Sequence, residues 1–313
     1  MIFDQTNPAR VAAAHDSNPE IVALNLEAVS ALERPSGLEP MGATLQSALG
    51  YDASAFVPYF IAMDTQNYQF WDLSADGEFL RYGKDGKVGA LAMQASFEAV
   101  WTQALAAVER TNPLERSLAA ASALRARIQA EGVAFIFADI PAAESRQALL
   151  LEVLEPTRLR AASEHILSRC RQGQLTWQDA QVLAQTFPQG YGDRYLKKAQ
   201  LTLMFIAGQW NAQADASPVT LAVSAAADYQ LPKVLRALGL ISYCKALGDR
   251  VDSAGIIAED GVYERAIRSA TVRMCDLLAA HFRCTIAEVD FWLWLNRNSA
   301  KTAQFHLTKT TAY

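Results

Sequence analysis

Helical periodicity constrains this chain more than any other feature. From Leu91 to Val108 apolar residues recur at mixed three- and four-residue steps, the spacing of a helix that turns one face to a core. The pattern returns along the chain with its own punctuation. Asn112-Pro113 supplies a cap and a first-turn proline for a helix running to about Ala130. Thr176 with Asp179 makes a variant capping box before a helix that must stop short of Pro188. Ser217-Pro218 reads as another helix start. Leu231-Pro232 opens a strongly amphipathic run to Leu247, with Gly248 as its C-cap. Val262 to Phe282 predicts one long helix, and Thr285 with Glu288 caps a last one.

Strand signals are sparse. Asp76-Gly77 and Asp85-Gly86 flank Glu78 to Gly83, which predicts a small β-hairpin near residues 75–90. Val133 to Ala138 fits either a strand or a buried connector. The expectation is a mainly α fold, with one helical domain over residues 20–313 behind an N-terminal extension of residues 1–19.

Composition excludes several function classes. With 313 residues, 51% hydrophobic and 19% charged, the chain can bury a substantial core. Its net charge is −5 and its pI about 5.5, which argues against a direct nucleic-acid partner. Gripping a phosphate backbone needs a Lys/Arg-rich face, whereas a small anion needs only two or three local cations. Met1 to Arg10 lacks the pattern of a signal peptide, and no run approaches the roughly 18 apolar residues of a membrane span. A cytoplasmic protein with no membrane partner is expected. Cys170, Cys244, Cys275 and Cys284 are scattered, without a CxxC pair. His15, His165, His281 and His306 show no metal spacing, so neither a metal nor a cofactor is expected.

Three stretches place polar groups inside apolar sequence. From Tyr59 to Asp72, aromatics alternate with Asp64, Asn67 and their neighbours. Such a run can wall a pocket for a flat heterocycle, or its rings can simply fill a core. Asp228, between the small residues Leu221 to Ala227 and Pro232, is either a carboxylate held in a dry cleft or a helix cap. Lys197 and Lys198 sit where a helix turns apolar. Adjacent helical residues diverge by about 100°, so one of the two is expected to face inward. Glu264 and Arg268, at i and i+4, predict an ordinary surface ion pair.

In this order, the segments resemble the queuosine salvage protein family. Asp64-Thr65-Gln66-Asn67-Tyr68-Gln69-Phe70-Trp71 looks like its Asp-x-x-Asn-(Phe or Tyr)-x-Phe-Trp signature. Phe187-Pro188 followed by Lys197-Lys198-Ala199-Gln200 is similar to the next block, and Asp228-Tyr229-Gln230-Leu231-Pro232 to the one after it. Glu264 with Ile267-Arg268, then Leu293-Trp294, and finally Phe305-His306 with Tyr313 continue the register. Two positions depart from the pattern: Gln230 stands where the family has arginine, and Leu295 where an acid often follows Leu-Trp.

The resemblance implies an all-helical enzyme, similar in fold to helical DNA glycosylases. Its implied activity is an N-glycosidase hydrolysing queuosine 5′-phosphate to release queuine for salvage into tRNA modification. Asp228 and Lys197 would be catalytic, with Lys197 near the ribose or the 5′-phosphate and Lys198 as its substitute. Asn67, Phe70 and Trp71 would hold the base, Phe70 facing it and Trp71 supporting from behind. Asp64 would address the base edge or the amine of queuine's cyclopentenediol arm. Tyr229, Glu264, Arg268 and His306 complete the implied substrate-binding set. The alternative is a carrier that binds queuine or queuosine without turnover.

Overall fold

The computed structural model describes residues 4–45, 52–109, 112–213 and 217–313. The chain begins with α1 (Pro8–His15), β1 (Val22–Leu24) and α2 (Leu26–Ala31). It continues through α3 (Ala53–Met63), the short strands β2 (Trp71–Leu73), β3 (Phe79–Arg81), β4 (Gly83–Lys84) and β5 (Lys87–Val88), and α4 (Ala90–Ala106). There follow α5 (Pro113–Glu131), α6 (Ala143–Val153), α7 (Pro156–Arg171), β6 (Gln174–Thr176), α8 (Trp177–Thr186) and α9 (Pro188–Tyr191). The last stretch holds α10 (Lys197–Asn211), β7 (Thr220–Ala222), α11 (Gln230–Ala237), β8 (Ile241–Tyr243), α12 (Lys245–Asp252), α13 (Val262–Phe282) and α14 (Ile286–Leu295). The fold is mainly α, and the strands form only two-stranded pairs among the described residues.

Three of the helix starts that the sequence predicts are present with their caps. Asn112 caps α5 by accepting from Leu114 N and Glu115 N. Thr176 with Asp179, and Thr285 with Glu288, form reciprocal capping boxes at α8 and α14. Val133 to Ala138 is a connector rather than a strand, with Val133, Ile136 and Phe137 buried and Ala134 and Ala138 exposed. The segment expected as an N-terminal extension contributes α1, which packs on α13 through an Arg10–Asp276 ion pair at 2.8 Å.

Three expectations need correcting. No helix starts at Ser217-Pro218; Thr220–Ala222 instead runs as β7, parallel to β6. The Asn211 side chain fixes that extended course by both accepting from Val219 N and donating to Val219 O. The run from Pro232 to Leu247 breaks in two. Gly239 adopts φ 68°, a left-handed geometry that ends α11, and Ile241–Tyr243 then pairs antiparallel with Val22–Leu24. Gly248 lies within α12 rather than capping a helix. The β excursion also begins earlier than expected: Trp71–Leu73 pairs with Phe79–Arg81, and a second small pair follows at β4 and β5.

Among the described residues two large hydrophobic cores stand out. One gathers α3, α4, α5, α7, α8 and α10; the other gathers α11 to α14 with β1 and β8. A smaller aromatic group, including Trp71, Tyr229 and Tyr313, forms a separate cluster beside them.

Candidate active site

The site is built on the turn that follows α3. Asp64–Gln66 forms one 3-10 turn, and Gln69 then takes φ 32°, a left-handed conformation unusual for a side-chain-bearing residue. Arg146 of α6, fully buried, holds this turn from one side. It donates to Gln66 O at 2.6 Å, Tyr68 O at 2.7 Å and Gln69 O at 3.0 Å, and its guanidinium lies 4.1 Å from the centre of the Tyr68 ring. Burial lowers its pKa to about 10. Gln66 O also accepts from Tyr68 N at 3.0 Å, and Arg146 satisfies the carbonyls of Tyr68 and Gln69 in the interior.

From the other side the turn meets α10. Lys197 Nζ donates to Asn67 O at 2.9 Å, and Lys198 Nζ to Thr65 O at 3.1 Å. Both lysines are 2% exposed, which corrects the expectation that only one turns inward. The helix is enclosed over nearly its whole length, so no face of its first turn reaches water. Burial lowers both ammonium pKa values, that of Lys198 to about 7 with the charge of Lys197 adding to the effect. The charges of Asp228 and Asp64 oppose the fall at Lys197.

Asp228 precedes α11, and its Oδ1 accepts from Gln230 N at 2.7 Å and Leu231 N at 3.0 Å. The helix-cap geometry is real. It engages one oxygen only; among the described residues the second oxygen accepts no hydrogen bond. Burial raises the Asp228 pKa, while Lys197 and the two N–H groups work against that rise. Asp290 of α14 accepts from Ala226 N at 2.7 Å, and burial pushes it up to about 7, aided by the charge of Asp228.

A narrow cleft, with about 40 Å³ of free volume, brings Asn67, Phe70, Trp71, Lys197, Asp228 and Tyr229 together. Phe70 and Trp71 both line it. Strand alternation separates neighbours only within regular strand, and β2 starts at Trp71, after the left-handed Gln69. Trp71 stacks on Phe79 at 6.2 Å, and Tyr229 packs on Phe305 at 4.9 Å. Phe79, Arg81 and Arg297, which no sequence motif marked, also line the cleft, as do Trp294 and Phe305 from the resemblance blocks.

The other expected site residues lie elsewhere. Asp64 is wholly buried, takes a bond from Asn67 Nδ2 at 3.2 Å, and is raised to about 7 chiefly by burial. His306 is buried against the Tyr313 hydroxyl at 3.1 Å; burial, then the charge of Arg268, lowers it to about 3 and keeps the imidazole neutral. Lys198, Glu264 and Arg268 line a second cavity of about 320 Å³. Glu264 and Arg268 are not a surface pair: both are buried, and Arg268 binds Asp193 at 2.5 and 2.7 Å while Glu264 stands at 3.5 Å. Against the burial that lowers it, Asp193 holds the Arg268 pKa above its ordinary value. Asp290 had left a signal, a lone acid in the apolar face of Ile286–Leu295; Arg146 and Asp193 had left none.

Among the described residues, no group of three or more His, Cys, Asp or Glu side chains is placed to hold a metal ion, and no helix is long and apolar enough to cross a membrane. Residues 175–313 match the family model described as queuosine salvage protein. The likeness is to the queuosine salvage family. It bears out the resemblance read from the sequence, and the blocks from Phe187 to Tyr313 fall inside the matched stretch. The chain is also 27% identical, over 281 residues, to the queuosine 5′-phosphate N-glycosylase/hydrolase of Sphaerobacter thermophilus, covering 83% of this chain and 82% of that relative. The turn from Asp64 to Trp71 lies before the stretch matched by the queuosine salvage model and enters the cleft through tertiary contact alone.

Proposed function

We propose that the cleft hydrolyses the N-glycosidic bond of queuosine 5′-phosphate and releases queuine. The observation that carries this reading is Asp228: one oxygen is locked by two backbone N–H groups, and the other is left without a partner in an aromatic-walled cleft. Queuine is a 7-deazaguanine and has no N7 to protonate, so its departure cannot be eased from that side. Catalysis must instead stabilise the cationic ribose that forms as the bond to the base breaks. A fixed carboxylate beneath the sugar does this and orients the water whose oxygen adds to C1′; the base leaves with its bonding pair and takes up a proton. Lys197, held by Asn67 O, sits in the same cleft and is assigned to the ribose. Phe70, Trp71 and Tyr229 supply the ring faces between which the base stacks, and Asn67 addresses its edge.

The purified protein, given queuosine 5′-phosphate, should release queuine detectable by chromatography. Asp228→Asn keeps the shape and one acceptor oxygen, and should lower kcat by about 10²- to 10³-fold, the scale for removing one transition-state charge contact. Binding of queuosine 5′-phosphate without release, in wild type as in variant, would establish the carrier alternative instead.

A further inference from the structure

Three cations collect at one side of the cleft, near Asp228 but without a carboxylate in ion-pair contact among the described residues. Arg81 comes from β3 and Arg297 from the turn after α14, and both line the same cleft as Asp228. Lys233 of α11 joins them, its Nζ donating to Arg297 O at 2.9 Å. Among the described residues none of the three forms an ion pair with a carboxylate. Arg10, Arg160, Arg194, Arg236 and Arg268, by contrast, each hold an aspartate or glutamate, and the fully buried Arg146 is satisfied by backbone carbonyls. The like charges also act on one another. Burial first, then Arg81 and Arg297, lowers the Lys233 pKa, and Arg81 adds to the effect of burial at Arg297. Arg297 is not free to swing away, since its guanidinium lies 3.4 Å from the centre of the Trp294 ring and donates to Trp294 O at 2.7 Å. Arg81 is exposed and brings its charge from the rim, so the cluster gathers like charges that an anion would complete.

We propose that Arg81, Lys233 and Arg297 form an anion subsite that takes the phosphate monoester of the nucleotide, leaving Lys197 to the ribose. This rests on the proposed function for the identity of the nucleotide, but not for the presence of the anion. Arginine forks suit phosphate oxygens, and the compact ammonium of Lys233 adds a point charge. The three side chains belong to three separate elements, so a bound phosphate ties the β2–β3 hairpin to α11 and the end of α14. Binding energy gathered there, away from the bond that breaks, is then available to the reacting centre.

The test uses wild type, Arg81→Gln and Arg297→Gln, each first checked by a thermal melt. Values of kcat/KM are measured on queuosine 5′-phosphate and on queuosine, and inorganic phosphate is titrated against each protein by calorimetry. The ratio of the two kcat/KM values should fall at least about tenfold in either variant, and phosphate binding should weaken in parallel. An unchanged ratio, or equal loss on both substrates with phosphate binding intact, overturns the subsite. Should wild type release base from neither substrate, the proposed function fails. The phosphate titration then decides the subsite alone: binding lost in the variants supports it, and binding equal in all three proteins sinks it.

Discussion

Lys197 and Lys198 are neighbours in the chain and face different spaces. Lys197 lines the aromatic cleft with Asp228; Lys198 lines the second cavity with Arg268 and Glu264. On the Lys198 side the charges are matched: Arg268 binds Asp193 through both terminal nitrogens, and Arg194 binds Asp16 at 2.8 Å. On the Lys197 side they are not, for Asp228 keeps an unengaged oxygen and Arg81, Lys233 and Arg297 have no acid partner among the described residues. Both regions are buried, polar and rich in ionisable groups. Pairing is what separates this framework from the proposed reaction site, because a charge already satisfied within the protein has little left to offer a ligand.

The strongest challenge to that contrast is on the matched side. Asp193→Ala strands the buried Arg268 guanidinium and removes the carboxylate that also accepts from Lys197 N at 2.9 Å. Breaking a buried pair by removing one partner destabilises by about 3–5 kcal/mol, and a denaturant melt should show a loss of that size. A variant that melts like wild type but no longer turns over would place Arg268 with the reaction instead.

On the unmatched side, Phe70→Leu keeps apolar bulk while removing the ring face. Queuine affinity should weaken by about 1–3 kcal/mol, the range for base–aromatic stacking, with the melting temperature nearly unchanged. Calorimetric titration with queuine checks it, and unaltered affinity would remove Phe70 from the stacking wall. The smallest effect is expected for Glu264→Gln. Arg268 retains both bonds to Asp193, and the lost partner stood at 3.5 Å, so stability should change by about 1 kcal/mol or less. A loss approaching that of Asp193→Ala would show that Glu264, not Asp193, is the main counter-charge.

The sequence by itself determined what depends on neighbours in the chain. Asn112 before Pro113, Thr176 with Asp179 and Thr285 with Glu288 each announced a helix start that the structure contains, because a cap needs only a side chain and the N–H groups two or three residues on. The polar positions Asn67, Lys197 and Asp228 were legible for a similar reason: each interrupts apolar sequence, and all three meet in one cleft. Contact between distant stretches decided the rest. The periodicity of Pro232 to Leu247 could not show that pairing with Val22–Leu24 would break it. Nor could helical geometry foretell that both lysines would be enclosed, since that follows from what surrounds α10 and not from α10 itself. Arg146 grips a turn nearly eighty residues earlier in the chain, and Arg81, Lys233 and Arg297 come from three unrelated elements. Burial and charge pairing are properties of the assembled neighbourhood, so only the tertiary structure could say which of these ions are paired and which remain open to a ligand.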